Sequence, residues 1–340
     1  MFATLLEKLA DRRDLSEEDA AAAMADVMEG RATAAQIAGL LLALRLKGER
    51  PAELVGFART MRAHAVKLVS RPAEAFDTCG TGGDATGTFN ISSVVALVLA
   101  ASGVTVAKHG NRSVSSRCGS ADLFEALGVD ILAPPERVER CLHAAGIAFF
   151  FAPTFHPSMK HAGPARRELG VRTAFNLLGP LTNPAGATRQ LVGVPRPEMT
   201  ELVARALAML GSERAWVVHG ADGLDEISTC GYTKVSECRA GMVKTFYLHP
   251  AEFGLRKAAS EALVGGDAAS NARIARAVLA GEPGAPRDVV VLNAGAALLI
   301  AGRCQSVRDG MRLAAEALDA GGASRVLDRM VAVSRDGGMP

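Results

Sequence analysis

The sequence predicts an α/β protein, with a small N-terminal helical domain followed by a larger α/β domain whose central sheet is mostly parallel. Residues 1–70 contain helix signals and almost no strand signals, whereas in residues 71–340 short β-branched runs alternate with helical patterns. With 340 residues, 49% of them hydrophobic, the chain is long enough to bury a sizeable core. We therefore place the domain boundary after residue 70, and we expect part of 156–184 to pack back on the helical domain.

The helical domain is predicted from helix start and stop signals. Two segments have capping-box spacing, glycines follow them, and a proline stands where the first turn of a third helix would begin. In chain order these signals are Ser16 with Asp19, Gly30, Thr33 with Gln36, Gly48 and Pro51. Apolar residues recur at helical spacing on two faces: Ile37, Leu40, Leu41 and Leu44, and then Leu54, Phe57 and Met61. Such faces are too extensive for short helices to bury alone, so we expect them to pack on another domain or subunit.

The remainder of the chain alternates between strand and helix patterns. Candidate strands are 104–107, 147–151, 190–194 and 215–218, and the helical patterns between them are 121–127, 135–145 and 197–210. The segment 156–184 breaks this alternation with many proline, glycine and basic residues, which indicates a hinge or an excursion to the helical domain. The longest apolar run, 289–301, contains Asn293 and is shorter than the roughly 20 residues that span a bilayer. We interpret it as a buried helix or strand.

Charge and cysteine content restrict the classes of function. Lysine plus arginine number 38 against 36 aspartates and glutamates, which argues against a general nucleic-acid or membrane-surface binder. The cysteines show no metal-ligand spacing and the N-terminus lacks a signal-peptide pattern, so we expect reduced thiols in the cytoplasm. The cysteines are Cys79, Cys118, Cys141, Cys230, Cys238 and Cys304.

A glycine-rich loop, Gly80-Thr81-Gly82-Gly83-Asp84, follows a short apolar stretch and precedes a helix predicted to begin near Asn90. Free amides in such a position bind anions, and glycine lets a phosphate approach the backbone. A simple glycine turn is the alternative, and the loop is neither a Walker loop nor a GxGxxG fingerprint. The hydroxyls and amide of 88–93 suit helix capping, phosphate binding or ligation of a hard cation.

A second polar loop, 108–116, follows the candidate strand 104–107, at the carboxyl end where α/β folds place ligand sites. It combines two cations, an imidazole, an amide and three hydroxyls within nine residues. We interpret it as a substrate clamp, with a solvated basic loop as the alternative. Ser120 opens the next helix and is a candidate both for its N-cap and for a phosphate contact.

An acidic turn follows the candidate strand 215–218 and contains Asp222, Asp225 and Glu226. Adjacent carboxylates suit Mg²⁺, a hard ion that prefers oxygen ligands and often bridges to substrate phosphates. A surface acidic turn has the same pattern, but a polyphosphate site elsewhere in the chain favours the metal.

Arg166 and Arg167 are candidates for binding a carboxylate, because a guanidinium grips a carboxylate in a two-pronged pair. The alternative is that one or both arginines cap a helix against Glu168, and Arg167 is the better candidate for that role.

Eight motifs together closely resemble the anthranilate phosphoribosyltransferase family, in the same order and with similar spacing, over a stretch from the helical module to about residue 300. They are Asp77-Thr-Cys-Gly-Thr-Gly-Gly-Asp84, Asn90-Ile-Ser-Ser93, Lys108-His-Gly-Asn-Arg-Ser113, Gly119-Ser-Ala-Asp122, His156-Pro157, Arg166-Arg-Glu-Leu-Gly170, Asn176-Leu-Leu-Gly-Pro-Leu-Thr-Asn-Pro184 and Asp222-Gly-Leu-Asp-Glu226. The resemblance implies transfer of phosphoribose from phosphoribosyl pyrophosphate (PRPP) to the amine of anthranilate, in tryptophan biosynthesis. It also implies the nucleoside phosphorylase/phosphoribosyltransferase fold class and a homodimer joined through the helical domains.

The resemblance further implies substrate and Mg²⁺ ligands, with two ions per subunit. PRPP would contact Gly80, Gly83, Asp84, Thr88, Asn90, Ile91, Ser92, Ser93, Lys108, His109, Gly110, Asn111, Arg112, Ser113, Val114, Ser115, Ser116 and Ser120. Mg²⁺ would be held by Ser92, Asp225 and Glu226. Anthranilate would contact Gly80, His109, Asn111, His156 with Pro157, and Arg166, the last facing its carboxylate. Lys108, Asn111 and Arg166 would be the catalytic residues.

The departures from the family pattern are mild. Thr78-Cys79 replaces a more apolar pair, Ser93 stands where threonine is commoner, and Cys118 stands where serine or glycine is commoner. None removes a group that the chemistry needs. Because an aromatic amine is unprotonated at neutral pH, the nucleophile needs positioning more than activation, and we expect no essential strong general base.

Two other functions are compatible with parts of the pattern. A pyrimidine nucleoside phosphorylase shares the fold and attacks ribose with phosphate, but it requires neither the Asn111-Arg112 pair nor the metal site at Asp225 and Glu226. A non-catalytic homologue that binds nucleic acid would need a broad basic face, which the near-neutral charge does not favour. We therefore expect small-molecule substrates and neither a nucleic-acid nor a membrane partner.

Overall fold

The N-terminal helices begin at the predicted signals. The computed structural model describes residues 2–70, 72, 74–84, 86–113 and 117–336. The first helices are α1 (Phe2–Ala10), α2 (Glu17–Met28), α3 (Ala34–Lys47) and α4 (Pro51–His64). The Ser16 side chain accepts a hydrogen bond from the Asp19 amide, and Thr33 and Gln36 form a reciprocal capping box. Local hydrogen bonds therefore set these helix starts, as the sequence predicts.

A seven-stranded sheet, in the order β3-β2-β1-β4-β5-β6-β7, forms the centre of the described part of the α/β region. Its strands are β1 (Phe76–Gly80), β2 (Val106–Gly110), β3 (Ile147–Phe151), β4 (Arg189–Gly193), β5 (Arg214–Gly220), β6 (Thr233–Arg239) and β7 (Met242–Leu248). The pairs among β1 to β5 are parallel, and β6 and β7 add an antiparallel hairpin. The prediction of a mostly parallel sheet is confirmed, whereas the hairpin was not predicted.

The predicted strands agree closely with the observed ones. The candidate 147–151 coincides with β3, and the ends of the other three candidates are displaced by one to three residues. The largest displacement is in β2, which continues through Lys108 and His109 and places these two polar residues within the sheet. Their side chains are consequently buried, and they do not lie in a solvated loop.

Helices cover both faces of the sheet. The neighbouring residues Leu191 and Val192 of β4 point to opposite faces and belong to two different apolar cores. The core on the Val192 side includes the apolar faces of α1 to α4, and the predicted buried run 289–301 is a helix in the other core. The remaining helices are α5 (Ile91–Ala101), α6 (Ser120–Leu127), α7 (Pro135–Ala145), α8 (Ala152–Phe155), α9 (Gly163–Leu169), α10 (Met199–Met209), α11 (Ala268–Leu279), α12 (Ala285–Ile300), α13 (Val307–Asp319) and α14 (Gly322–Arg335).

The segment 156–184 consists of α9 and short 3-10 turns that lie against the N-terminal helices. Ala165 and Phe175 belong to the same apolar core as α3 and α4. The guanidinium of Arg62 donates a hydrogen bond to the Leu181 carbonyl over 2.7 Å, which ties α4 to this segment. Within the described ranges, no helix is both long enough and apolar enough to cross a bilayer.

Candidate active site

The carboxyl ends of the central parallel strands meet at one edge of the sheet, and each of them is a glycine. Gly80 of β1 pairs with Gly193 of β4, and β5 ends at Gly220 beside them. A Cβ on Gly80 would lie 2.5 Å from an Asp225 carboxylate oxygen, and one on Gly193 would overlap the Asp225 backbone. Glycine at these strand ends therefore lets the acidic turn after β5 fold back across β4 and β1.

The acidic turn meets the first turn of α5. Glu226 accepts a hydrogen bond from the Ser92 amide over 3.0 Å, and the Ser92 carbonyl accepts one from the Thr78 hydroxyl over 2.9 Å. Ile91, the first residue of α5, is buried beneath them, as is Ser93. The three residues expected to hold Mg²⁺ are thus brought together, although more than 130 positions separate Ser92 from Glu226.

Electrostatics favour a cation between these carboxylates. Burial raises the pKa of Asp225, and repulsion by Asp84 raises it further. Burial also raises the pKa of Glu226, with repulsion by Asp225 second, whereas Lys108 opposes that rise. Two adjacent carboxylates with these shifts fit a divalent ion. No group of three or more histidine, cysteine, aspartate or glutamate side chains in the described ranges forms a metal site alone, so further ligands would come from hydroxyl, phosphate or water.

Lys108 lies within β2 and is only 2% exposed. Its ammonium group donates to the His109 carbonyl over 3.2 Å, and its charge lowers the pKa values of Asp77 and Glu226 against the larger effect of burial. The Asp77 carboxylate accepts from the His109 amide over 3.1 Å and from the Asn183 side chain over 2.7 Å. The charge of Lys108 therefore acts on two buried acidic groups. Asp77 and Asn183 belong to motifs of the family, but the sequence predicts no role for either.

The loop after β2 is held by hydrogen bonds from the first turn of α6. The Asn111 carbonyl accepts from the Ala121 amide over 3.2 Å and from the Ser120 hydroxyl over 3.4 Å. Gly110 lies so close to the Ser120 hydroxyl that a Cβ there would overlap it. The predicted contacts at Val114, Ser115 and Ser116 lie outside the described residues.

Arg112 is already paired with carboxylates of the protein. Its guanidinium contacts Asp122 and Glu125 over 2.8 Å each, and Asp122 also accepts the amides of Ser113 and Gly119. The N-cap of α6 is Gly119 and not Ser120, so that prediction was wrong. The reason is that the Asp122 side chain takes the Gly119 amide in a capping box, and Ser120 becomes the first helical residue.

Asn90 occupies the N-cap position of α5, but its side chain does not cap the helix. The side-chain nitrogen of Asn90 instead donates to the Cys118 carbonyl over 3.1 Å, and its side-chain oxygen accepts from the Asn271 side chain over 2.9 Å. Thr88 forms an isolated bridge with Val264 beside it. The bond to Asn271 holds the approach to α5 against α11.

His109 and His156 form a buried imidazole pair with ring centroids 5.3 Å apart. Burial lowers the pKa of His109 to about 3 and that of His156 to about 4, so both rings are neutral at physiological pH. The His109 Nδ1 contacts the Gly179 carbonyl over 3.2 Å, and the Nε2 atoms of both rings have no partner within the described chain.

Arg166 lies on α9, half-buried, with its guanidinium carbon 5.4 Å from the centroid of the Phe175 ring. Burial lowers the pKa of this guanidinium. In the described part of the chain neither Arg166 nor the exposed Arg167 forms an ion pair with Glu168, so the alternative helix-capping role is not observed. A half-buried guanidinium over an aromatic ring is suited to an anionic ligand.

Arg172 is a residue of the site that the sequence analysis missed. Its guanidinium donates to the Thr81 carbonyl over 3.1 Å and occupies the position that a Gly83 Cβ would take. Burial lowers its pKa, and Asp225 is the strongest opposing influence. Its own carbonyl accepts a hydrogen bond from Arg45 of α3. Arg172 thereby connects the glycine loop with the N-terminal helices, and its place in the basic segment 156–184 was the available signal.

Comparison with known proteins agrees with this geometry. A model of the helical bundle domain of a glycosyl transferase family matches residues 3–65, and the α/β domain model of that family matches residues 72–324. Anthranilate phosphoribosyltransferases of Moorella thermoacetica and Symbiobacterium thermophilum are each 53% identical to the chain, covering 98% and 96% of both partners respectively.

Solved structures give the same result. The anthranilate phosphoribosyltransferase of Thermus thermophilus has a TM-score of 0.92 at 48% identity, covering 97% of this chain and 99% of its own. The Saccharomyces cerevisiae enzyme in complex with PRPP and Mg has a TM-score of 0.89 at 28% identity, covering 98% and 97%. A complex of the yeast enzyme with 4-fluoroanthranilate has a TM-score of 0.87 at 26% identity. The chain therefore belongs to this glycosyl transferase family and, within it, to the anthranilate phosphoribosyltransferases.

Proposed function

We propose that the protein is a pentosyltransferase that transfers 5-phosphoribose from PRPP to the amine of anthranilate, giving N-(5-phosphoribosyl)anthranilate and pyrophosphate in tryptophan biosynthesis. The observation that carries the proposal is the hydrogen bond between Glu226 and the Ser92 amide. It joins the acidic turn to the N-terminus of α5, beside the glycine loop, where a pyrophosphate and its counter-ion would be bound together.

Ser92, Asp225 and Glu226 would hold Mg²⁺, and we propose two ions per subunit. The buried, mutually repelling carboxylates fit a divalent cation, as the rise in both pKa values indicates. When bound, Mg²⁺ would neutralise charge on the departing pyrophosphate.

The donor residues prepare for cleavage of the bond from ribose C1 to pyrophosphate. We propose that the amides of Gly80 and Gly83 and the Lys108 ammonium group stabilise the leaving pyrophosphate. Asn111, Ser113 and Ser120 would bind the phosphoribosyl part. Arg112 would bind a phosphate oxygen, either in place of its contacts with Asp122 and Glu125 or in addition to them. The other proposed PRPP contacts are Asp84, Thr88, Asn90, Ile91, Ser92, Ser93, His109, Gly110, Val114, Ser115 and Ser116.

The acceptor residues position the amine. Arg166 would bind the anthranilate carboxylate, and Gly80, Asn111 and the neutral rings of His109 and His156 would line its site. The amine nitrogen forms a bond to C1 while the bond from C1 to pyrophosphate breaks, and the nitrogen then releases one proton to water. Because the amine is neutral at the start, its positioning contributes more than its deprotonation.

The domain division, assembly and location of the enzyme are also proposals. We assign 1–70, with part of 156–184, to a helical domain, and 71–340 to the PRPP-binding domain. Leu42 and Leu46 of α3 are 41% and 72% exposed, which supports a homodimer through the helical domain. None of the six cysteines forms a disulfide within the described residues, which supports a location in the cytoplasm.

The contact between Arg45 and the Arg172 carbonyl supports a further proposal, that the helical domain closes on the glycine loop when substrates bind. Closure would exclude water from the activated ribose. Identical solution scattering with and without both substrates would contradict it.

The decisive assay follows loss of anthranilate fluorescence with PRPP and Mg²⁺ both present, or with either omitted. We expect loss only when both are present. Parallel reactions would contain uridine with phosphate, and an electrophoretic shift would test nucleic-acid binding. Phosphorolysis of uridine without anthranilate turnover would replace our proposal by a nucleoside phosphorylase, and nucleic-acid binding without turnover would replace it by a binding protein.

A further inference from the structure

Asn293 is a polar residue in the middle of α12, a helix whose central residues are apolar and buried. Its side chain is fully buried. The side-chain oxygen accepts a hydrogen bond from the Ile227 amide over 2.9 Å, and the side-chain nitrogen donates to the Ile227 carbonyl over 2.9 Å and to the Val289 carbonyl over 2.8 Å. One asparagine therefore satisfies both backbone polar groups of Ile227.

Ile227 directly follows the acidic pair Asp225 and Glu226. The turn that carries the pair is closed on one side by the bond from the Gly220 amide to the Leu224 carbonyl, 2.8 Å. On the other side the Ser228 amide donates to the Thr233 hydroxyl over 2.9 Å. Asn293 holds the backbone between these two bonds, next to Glu226.

A side-chain amide at this position is unfavourable if its role is packing alone. Burying it costs free energy unless all of its groups are hydrogen-bonded, and asparagine is a poorer helix former than leucine. A leucine of similar size would suit α12 itself, whose neighbours Leu292 and Ala294 are fully buried. What leucine cannot do is hold the Ile227 backbone.

We propose that Asn293 is a positioning residue that holds Asp225 and Glu226 in the orientation that binds a divalent cation. This inference rests on the proposed function of the acidic pair as the metal site. The helix α12 is packed in the core along most of its length, so the Asn293 side chain fixes the acidic turn to a rigid element. Residues that orient metal ligands in this way typically change metal affinity by about 10- to 100-fold when replaced.

The test measures binding of Mn²⁺ alone to the intact protein by electron paramagnetic resonance, without substrates. We expect Asn293→Leu to weaken Mn²⁺ binding roughly 10- to 100-fold. In steady-state assays the concentration of Mg²⁺ for half-maximal rate should rise, while the KM for anthranilate stays unchanged.

The matched control is Leu298→Val on the same helix. Leu298 is fully buried, and its side chain is purely apolar, so shortening it lowers stability without removing a hydrogen bond from the acidic turn. We expect this variant to lower the melting temperature and to bind Mn²⁺ as the wild type does. If Asn293→Leu behaves in the same way as Leu298→Val, the inference is wrong.

Failure of the underlying proposal gives a different result. If the double variant Asp225→Asn with Glu226→Gln binds Mn²⁺ as tightly as the wild type, the acidic pair is not the metal site and the proposed function loses its metal centre. If that variant loses Mn²⁺ binding but Asn293→Leu does not, only the positioning role is overturned.

Hydrogen exchange provides a measurement that does not depend on a folded Asn293→Leu variant. In the wild-type protein without metal, the Ile227 amide should be protected to the same degree as amides of β5, because it is bonded to a core helix. Asn293→Ser, which keeps a smaller hydroxyl acceptor, should lower that protection and leave β5 unchanged. Rapid exchange of the Ile227 amide in the wild type would overturn the inference.

Discussion

The donor and acceptor sides of the site differ in how their charges are balanced. On the donor side Arg112 is paired with Asp122 and Glu125, and buried Lys108 faces Asp77 and Glu226. On the acceptor side the Arg166 guanidinium lies over the Phe175 ring and forms no ion pair within the described ranges, and the Nε2 atoms of His109 and His156 have no partner there.

The donor side therefore has its counter-charges before substrates bind, whereas the acceptor side lacks one. The donor side balances most of its cations with carboxylates of the protein, so a polyanion together with a divalent cation can enter with little change of net charge. The acceptor side holds a guanidinium whose desolvation lowers its pKa, and we propose that a ligand carboxylate supplies the missing counter-charge.

The largest effect is expected from Asp225→Asn combined with Glu226→Gln. Loss of the two charges should lower kcat/KM by about three orders of magnitude or more, because several kcal/mol of charge stabilisation are removed. The melting temperature of the metal-free protein should not fall, since amides of the same size relieve the repulsion between two buried carboxylates. Steady-state kinetics and calorimetry check the two parts. A large loss of stability would show that the pair is structural.

Gly193→Ala tests whether the acidic turn must lie directly on the strand ends. The new methyl group would overlap the Asp225 backbone, and displacement of the carboxylates by about 1 Å should lower kcat roughly 100-fold. Gly231→Ala is the matched control, because a Cβ there has nothing within 4 Å. Equal activity of the two variants would refute the close approach.

Arg166→Ala tests the acceptor side. The KM for anthranilate should rise roughly 10- to 100-fold with little change in the KM for PRPP, because a hydrogen-bonded charge pair contributes about 1.5–3 kcal/mol. Arg167→Ala is the control, since that side chain is exposed. Aniline, which lacks the carboxylate, should react equally slowly with the wild type and with Arg166→Ala. Unchanged kinetics for anthranilate would exclude the carboxylate-binding role.

The smallest effect concerns the neutral histidines. Since the pKa of His156 is about 4 in the folded protein and about 6.5 in an unfolded chain, the unfolded chain takes up the proton first as the pH falls. His156 therefore lowers the free energy of unfolding of the wild type by about 1.4 kcal/mol for each unit that the pH falls between about 6.5 and 4. The destabilisation caused by His156→Gln should therefore shrink by about 1.4 kcal/mol between pH 7.5 and 5.5, as measured by urea unfolding. A constant difference would mean that the imidazole becomes charged in the folded state.

Local features of the site and the fold could be predicted from the sequence. The helix starts at Ser16 and Thr33 depend on hydrogen bonds formed within a few residues. The strand β3 was predicted from its continuous run of apolar residues. The candidate phosphate-binding loop 108–116 and the acidic turn were found because both follow predicted strands, whereas the phosphate-binding role itself stays a prediction.

Other features depended on contacts between distant parts of the chain. The antiparallel hairpin of β6 and β7 was not predicted. Its turn places Ala240 and Gly241 at positive φ angles, but which strands pair across the turn depends on the sheet and not on turn chemistry alone. Arg172 was missed because its role arises only where its guanidinium meets the glycine loop.

By itself the sequence determined the α/β class, the motifs of the family and the residue types available for binding PRPP, Mg²⁺ and anthranilate. Only the tertiary structure decided that the acidic turn lies on Gly80 and Gly193, that Arg112 is paired with the protein's own carboxylates, and that Asn293 holds the turn from behind. The physical reason is that burial, charge pairing and close approach depend on which segments the fold brings together, and local sequence patterns do not encode those distances.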